Sequence, residues 1–326
     1  MLTTAVIGLG QAGSRFDEEP RPMVWSHTGA YLGASDRFHI AGGADINEDN
    51  LARFKIRCPK ADAFSDVATM VSAIKPDVIS ICTPPKGRAK LVETILSLHR
   101  PKILVCEKPL ELDELSRQKI VEICADASVP LLVNYNRRFA TIYRMAHKAI
   151  EDGILGEILS ITVIASNRLW SIGSHTINLL YFLAGDFPET WMALPRPDLY
   201  EDSEPAVDFS CRFPSGAAGH VLTIGAKGTG FFEVDIFGKD ARLQITKRGT
   251  EATISRFKTS QQYLNYRVLS DPEEYYCSDP NESTFQIMVN EAADIAEGKQ
   301  DFLSSSGNDA LRSETMLDKL AGECNK

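Results

Sequence analysis

The chain opens on a strand that runs straight into a glycine turn. Residues 3–8, TTAVIG, lead into GLGQAG, where Gly8, Gly10 and Gly13 fit the spacing G-x-G-x-x-G. Each position has a physical task. The first glycine permits a tight turn, the second lets the backbone approach a pyrophosphate, and the third lets the following helix pack close to the strand. Amides at the start of that helix, Gln11 and Ala12, are expected to face the phosphates. A second strand, FHIAGGAD, ends in Asp45. A carboxylate there accepts hydrogen bonds from a ribose 2′-hydroxyl and repels a 2′-phosphate, which favours NAD over NADP as the cofactor.

The separation of Gly8 from Asp45 exceeds the usual spacing of about 20–30 residues, and SRFDEEPRPMVW, residues 14–25, supplies the excess. Pro20 and Pro22 interrupt any helix begun at Gly10, and Ser26 caps a renewed helix, HTGAYLGA. This stretch reads as an inserted loop near the phosphates, either a surface excursion or a lid.

Strand and helix then alternate. The pattern predicts a helix around 62–74, a strand PDVISICTPP running to Cys82 with a turn at Thr83, Pro84 and Pro85, and a helix from Arg88 to Leu98. A strand over Ile103 to Cys106, a helix over Leu112 to Ala127 and a strand in VPLLVNYNRRF follow. Such an order requires a parallel sheet whose ligands bind at the carboxyl ends of the strands. The apolar strand 103–106 stops abruptly in Glu107, Lys108 and Pro109. Lysine is costly to bury unless it is paired or put to use, so Lys108 at a strand mouth needs a reason. Pro109 keeps the Lys108 backbone extended. Alternation sends Glu107 the other way, toward the nicotinamide ribose or a structural partner.

From about residue 138 the rhythm changes. After a helix over 141–153, GEILSITVIAS, AVDFSCRF, AAGHVLTIGA, FFEVDIFG, ARLQITK and EATISRF read as successive strands separated by Gly, Pro, Asp and Ser turns. Strands without intervening helices mean a mainly antiparallel sheet. One helix interrupts them, SHTINLLYFLAG, with Ser174 as its expected cap and Gly185 as its stop. Two late helices, FQIMVNEAADIAEG and NDALRSETMLDKLAG, pack on one face or return to the first domain. The expected fold is therefore α/β: a doubly wound Rossmann domain over 1–137, then an α+β domain with an open-faced, mainly antiparallel sheet over 138–326.

Bulk properties exclude several functions. With 35 Lys and Arg against 44 Asp and Glu, the formal charge is -9, and no basic run offers a footprint for nucleic acid. No apolar run approaches the roughly 20 residues that span a bilayer, and the N-terminus enters a strand directly, so no membrane and a cytoplasmic location are expected. The seven cysteines are scattered without C-x-x-C spacing, which points to neither disulfides nor a metal.

A dinucleotide fold at the start, E-K-P at 107–109, NYNRRF at 134–139 and G-x-H at 173–175 together resemble the Gfo/Idh/MocA oxidoreductases along the whole chain. The resemblance implies NAD(P)-dependent hydride transfer at a carbon of a sugar, sugar nucleotide or cyclitol. It also implies a homodimer or homotetramer formed through the open sheet. Loss of hydride leaves a carbinol that must lose a proton; Lys108 is the expected acid–base group and His175 the second. Relatives carry an aspartate four residues before this histidine and often another three after it, where this chain has Ser171 and Asn178. These can orient the ring but add no charge, so His175 is expected to be less basic and Lys108 to dominate.

The stretch before the histidine helix, SNRLW, is shorter than in relatives. It leaves Arg168 and Trp170 at the edge of the pocket, Trp170 either stacking on a sugar or filling an interface. Asn136 and Arg137 either bind substrate or, for Arg137 or Arg138, close an interdomain ion pair. Arg88 stands where relatives have histidine and either neutralises a phosphate or lies in solvent. SIGSHTINLL resembles a branch associated with surface-polysaccharide and nonulosonate biosynthesis. A second reading is a non-catalytic dinucleotide-binding regulator of the same architecture.

Overall fold

The computed structural model describes residues 1–324 apart from 20–22, 167, 198, 200–203 and 226–229. Pro20 and Pro22, expected to break a helix, lie outside the described residues. The chain divides into two compact units, one comprising Met1–Phe139 with Asn281–Leu311, the other Ala140–Pro280 with Arg312–Lys326. A division at residue 137 therefore omits the return of residues 281–311 to the first unit.

In chain order the first unit holds β1 (Leu2–Ile7), α1 (His27–Gly33), β2 (Phe38–Ala44), α2 (Glu48–Arg57), β3 (Asp62–Phe64), α3 (Val67–Ile74) and β4 (Val78–Ile81). It continues with α4 (Arg88–Leu98), β5 (Ile103–Cys106), α5 (Glu114–Asp126) and β6 (Leu131–Val133). The six strands are parallel in the order β3-β2-β1-β4-β5-β6, the doubly wound arrangement in which chain direction across the sheet reverses between β1 and β4. The expected helix over 62–74 is corrected: 62–64 form an edge strand, and the helix starts at Val67 behind an Asp66 cap that accepts from Thr69 N. Ser26 caps α1 through Gly29 N, as its position predicts. After β6 the segment Asn136–Phe139 is a 3-10 turn, not strand.

The second unit contains α6 (Thr141–Glu151), β7 (Ile158–Ala165), α7 (Ser174–Ala184), β8 (Thr190–Pro195), β9 (Val207–Arg212), β10 (Ala218–Thr223), β11 (Phe232–Gly238) and β12 (Ala241–Thr246). They are followed by β13 (Glu251–Thr259), β14 (Arg267–Leu269) and β15 (Glu274–Cys277). Its sheet runs β14-β13-β12-β11-β7-β10-β9-β8, with β15 on β13. All pairs are antiparallel except β7 with β10. Alternating residues on one face, such as Ile161, Val163, Val234, Ile236, Leu243 and Ile245, form a core with α6 and α7. The opposite face is polar and open, with Met192 and Leu194 69 % and 63 % exposed at its edge.

The chain ends in α8 (Thr284–Ala296) and α9 (Gly307–Cys324). In the first unit, α8 buries Phe285, Met288, Val289, Ala292 and Ala293 among Leu2, Ala30, Tyr31 and Phe38. Arg37 fastens it through Asp294 and Glu297 at 2.8 and 2.7 Å. The first turn of α9 belongs to the first unit, and Met316, Leu317 and Leu320 to the core of the second.

Candidate active site

Register aligns Ile7, Ile81, Cys106 and Val133 across four neighbouring strands. The segments leaving them, at Gly8, Cys82–Thr83, Glu107–Lys108 and Asn134, thus form one row at the carboxyl edge of the sheet. The three motif glycines divide the work as their spacing suggests. Gly8 has φ +84°, and a Cβ on it would lie 2.7 Å from backbone atoms of Cys82 and Thr83. A Cβ on Gly13 would sit 1.9 Å from Gly8 O, so the turn closes only without one. Around Gly10 no atom lies within 4 Å of such a Cβ. That space is open to a ligand's phosphates, and the loop fits a dinucleotide. The helix expected after the glycines is shortened to one π-helical turn, Gln11–Arg15, in which Ser14 N and Arg15 N bond to Gly10 O.

The residue insertion is anchored at its base. Asp17 Oδ2 accepts from Trp25 N and Ser26 N, and Oδ1 pairs with Arg57 at 2.8 Å. Burial opposes ionisation of Asp17, but the Ser26 hydroxyl, Trp25 amide and Arg57 hold its carboxyl below the usual range. Asp45 follows β2 and faces the glycine turn. Its Oδ2 accepts from Leu9 N at 2.7 Å and Asn50 Nδ2 at 3.0 Å, its Oδ1 from Asn47 N at 2.9 Å.

Glu107 meets structural partners. Its Oε1 takes Asn134 Nδ2 at 2.7 Å and His27 Nε2 at 3.1 Å. His27 is fully buried, its Nδ1 is 2.9 Å from Ser80 Oγ, and Ser80 Oγ is 2.7 Å from the Tyr31 hydroxyl. Burial alone would raise the Glu107 pKa; the bond and charge of His27, then Asn134 and Arg88, hold it below the usual carboxylate range. Glu107 N also donates to Ile81 O. Lys108 follows, half-buried, joined to Pro109 by a cis peptide.

Arg88 corrects the sequence reading. It is 2 % exposed and so does not lie in solvent. Its guanidinium donates to the carbonyls of Thr83, Glu107 and Pro109, clasping the β4 turn to the E-K-P turn. Glu111, buried behind the same turn, caps α4 through Gly87 N at 2.8 Å, and Arg117 donates to the Glu111 and Leu112 carbonyls. Thr83 is half-buried and Pro84 exposed. Asn136 and Arg137 are half-buried on the 3-10 turn, and Asn136 Oδ1 is buried without a hydrogen-bond partner among the described residues. Arg138 binds Ser304 O and Asp309 at 3.1 and 3.4 Å, both inside the first unit. That pair is not interdomain.

His175 is the second residue of α7, half-buried. Ser174 is not the cap expected: the helical path begins at Leu169 as a π turn, and the Ser174 hydroxyl donates back to Ser171 O. The acceptor at this helix start is Glu204, whose Oε1 takes Trp170 N and Ser171 N, both at 2.7 Å. The π turn also disturbs the i, i+4 relation assumed between Ser171 and His175. Asn178 is 1 % exposed and its Nδ2 donates to Ser313 Oγ of α9 at 3.0 Å, a bond inside the second unit. Trp170 packs on that unit's core. Arg168, half-buried, precedes the π turn and its carbonyl accepts from Gly173 N.

His27, Asn134, Asn50, Glu111 and Glu204 were missed by sequence reasoning. Only Asn134 carried a signal, as part of NYNRRF; the others acquire meaning from partners distant in the chain. Among the described residues no group of three or more His, Cys, Asp or Glu side chains could hold a metal, and no helix is long and apolar enough to cross a membrane.

Residues 2–135 match the model of an oxidoreductase family with an NAD-binding Rossmann fold. The myo-inositol 2-dehydrogenase of Thermotoga maritima is 23 % identical over 262 residues, 74 % of each chain. The WlbA dehydrogenase of Bordetella pertussis, solved with NADH and UDP-GlcNAcA, superposes with a TM-score of 0.77 at 17 % identity, covering 100 % of this chain and 97 % of that one. A super-repressor mutant of Gal80p from Saccharomyces cerevisiae gives 0.80 at 14 % identity, covering 99 % and 96 %. The chain spans between 26 % and 74 % of the length of the first curated relatives it matches. Residues 2–135 are thus similar to the NAD-binding part of the Gfo/Idh/MocA oxidoreductases.

Proposed function

We propose that the protein is an NAD-dependent dehydrogenase or reductase acting on a CH–OH carbon of a sugar, sugar nucleotide or cyclitol, with Lys108 as its principal acid–base group. The observation that carries this reading is the clamp on Glu107. Four contacts, through Ile81 O, Arg88, His27 and Asn134, fix the residue before Lys108, in the same row as the glycine turn and two strands from it. A fixed backbone is what an acid–base group requires to meet a reacting hydroxyl within hydrogen-bond reach.

A nicotinamide dinucleotide, when bound, supplies the hydride acceptor or donor. Gly10 leaves room for its pyrophosphate, and Asp45 accepts from its adenosine ribose. Lys108 Nζ takes the hydroxyl proton in oxidation and returns it in reduction. His175 is the second proton-exchange group, on a helix without a carboxylate at 171 or 178. Asn136, with its buried amide oxygen, accepts from a substrate hydroxyl. Relatives acting on inositol and a neighbour holding a UDP-sugar support the substrate class. The open sheet face, with Met192 and Leu194 exposed, suits contact with a second copy.

The likeness to Gal80p favours a second reading, a dinucleotide-binding regulator without turnover. One experiment separates them: NADH and NADPH titration, followed by absorbance assays against a panel including myo-inositol and UDP-sugars. Turnover that Lys108→Met abolishes, with dinucleotide binding retained, supports the dehydrogenase. Binding without turnover on any member supports the regulator, and turnover that survives Lys108→Met overturns the role of Lys108.

A further inference from the structure

Beside the dinucleotide loop the structure holds a closed ring of polar contacts. Leu9 N and Asn50 Nδ2 both donate to Asp45 Oδ2, at 2.7 and 3.0 Å. The other end of the Asn50 amide, Oδ1, accepts from Arg15 Nη1 at 3.3 Å. Leu9 and Arg15 lie in the same glycine segment, so the ring closes through the backbone. The Asn50 amide has only one useful orientation here, nitrogen toward the carboxylate and oxygen toward the guanidinium.

The surrounding cations differ in their partners. Arg57 pairs with Asp17 at 2.8 Å, and Arg53 with Asp49 at 2.9 Å and Glu18 at 3.3 Å. Among the described residues the Arg15 guanidinium meets only a neutral amide oxygen, although a guanidinium offers about five donors and suits phosphate oxygens better than any other side chain. It is half-buried, one side chain away from the carboxylate that reads the ribose.

We propose that Asp45, Asn50 and Arg15 form a selector for the 2′ position of the adenosine ribose, in which Arg15 is a ligand for a 2′-phosphate held out of use by Asp45. This rests on the dinucleotide-binding reading above. With Asp45 ionised, a 2′-phosphate meets like charge before it can reach Arg15, and the diol of NAD is preferred. Asn50 couples the two, supporting the carboxylate with one end and retaining the guanidinium with the other. With the carboxylate gone, Arg15 reaches the phosphate.

The test measures dissociation constants for NADH and NADPH by nucleotide fluorescence in wild type, Asp45→Ser, Asp45→Asn and each of these combined with Arg15→Gln. Asp45→Asn guards against misfolding, because it keeps an acceptor for Leu9 N. The wild type is expected to bind NADH more tightly. Removing the carboxylate should strengthen NADPH binding about tenfold or more, and Arg15→Gln should cancel that gain. The gained NADPH affinity should also fall more steeply with salt than that for NADH. If NADPH binding improves equally with glutamine at 15, or if both single variants bind NADH and gain nothing for NADPH, the selector is wrong while the dinucleotide site stands. If the wild type binds neither nucleotide, the functional reading itself falls, and the selector with it.

Discussion

Replacing His27 by alanine tests the buried support behind Lys108. The imidazole is fully buried, has both nitrogens engaged, by Ser80 Oγ at 2.9 Å and Glu107 Oε1 at 3.1 Å, and stands edge-on to Phe285 at 5.5 Å. Its loss leaves the Glu107 carboxylate, whose side chain is 13 % exposed, with Asn134 as its remaining side-chain donor. Breaking a buried pair from one side costs about 3–5 kcal/mol. For a unit of this size that lowers Tm by roughly 6–20 °C. The acid dependence is equally specific. Glu107 is held below its ordinary pKa of 4.5 in the fold, so its contribution is present above that value and is lost as pH falls through the lower folded pKa. The gap in Tm between wild type and His27→Ala should therefore be full at neutral pH and shrink below about pH 4.5. Scanning calorimetry across pH, with Glu107→Gln and the double variant to close the cycle, reads both effects. Equal Tm values at neutral pH, or a gap that ignores acid, would refute the pairing as a source of stability.

The glycine motif predicts two separable phenotypes. Gly13→Ala drives a Cβ to 1.9 Å from Gly8 O and should cost about 1–3 kcal/mol or more in thermal unfolding. Gly10→Ala meets no atom within 4 Å and should leave Tm near wild type while weakening NADH binding in fluorescence titration. Asn178→Ala removes the bond to Ser313 and should destabilise the chain by about 1–3 kcal/mol in urea unfolding. Glu204→Ala removes the acceptor for Trp170 N and Ser171 N, costing about 0.5–2 kcal/mol, and should speed hydrogen exchange at those two amides.

How much could be read beforehand follows from where the determining partners lie. The glycine turn, β5 and the limits of α4 were legible because apolar runs, glycines and charges within a few residues specify them. The helix α2 was not, because only Phe54 on it is buried, so it carries little apolar period despite its Asn47 cap. The edge strands β3 and β8 bury none of their residues, so neither reads as a core strand. The clasp made by Arg88 was not legible because its partners include main-chain carbonyls at 83, 107 and 109, which no side-chain pattern reveals. His27 was read only as part of a helix, since Ser80 and Glu107 lie 53 and 80 residues away. Glu204 reaches Ser171 from 33 residues on, so the chain start of α7 was credited to the nearer Ser174.

These long-range partners change what Lys108 can be asked to do. Around its turn, Arg88, Glu107, Glu111 and Arg117 are all largely buried, and their two positive and two negative charges cancel. Buried charges of this kind are tolerable only when paired and hydrogen-bonded. Here the contacts that fix them run to carbonyls, amides, His27 and Asn134. Those contacts hold the backbone on both sides of Lys108, so the proposed acid–base group is carried on a fixed turn. Lys108→Met should accordingly keep the melting temperature within a few degrees of wild type while turnover disappears, and a large loss of stability would show that Lys108 belongs to the scaffold and not to the chemistry.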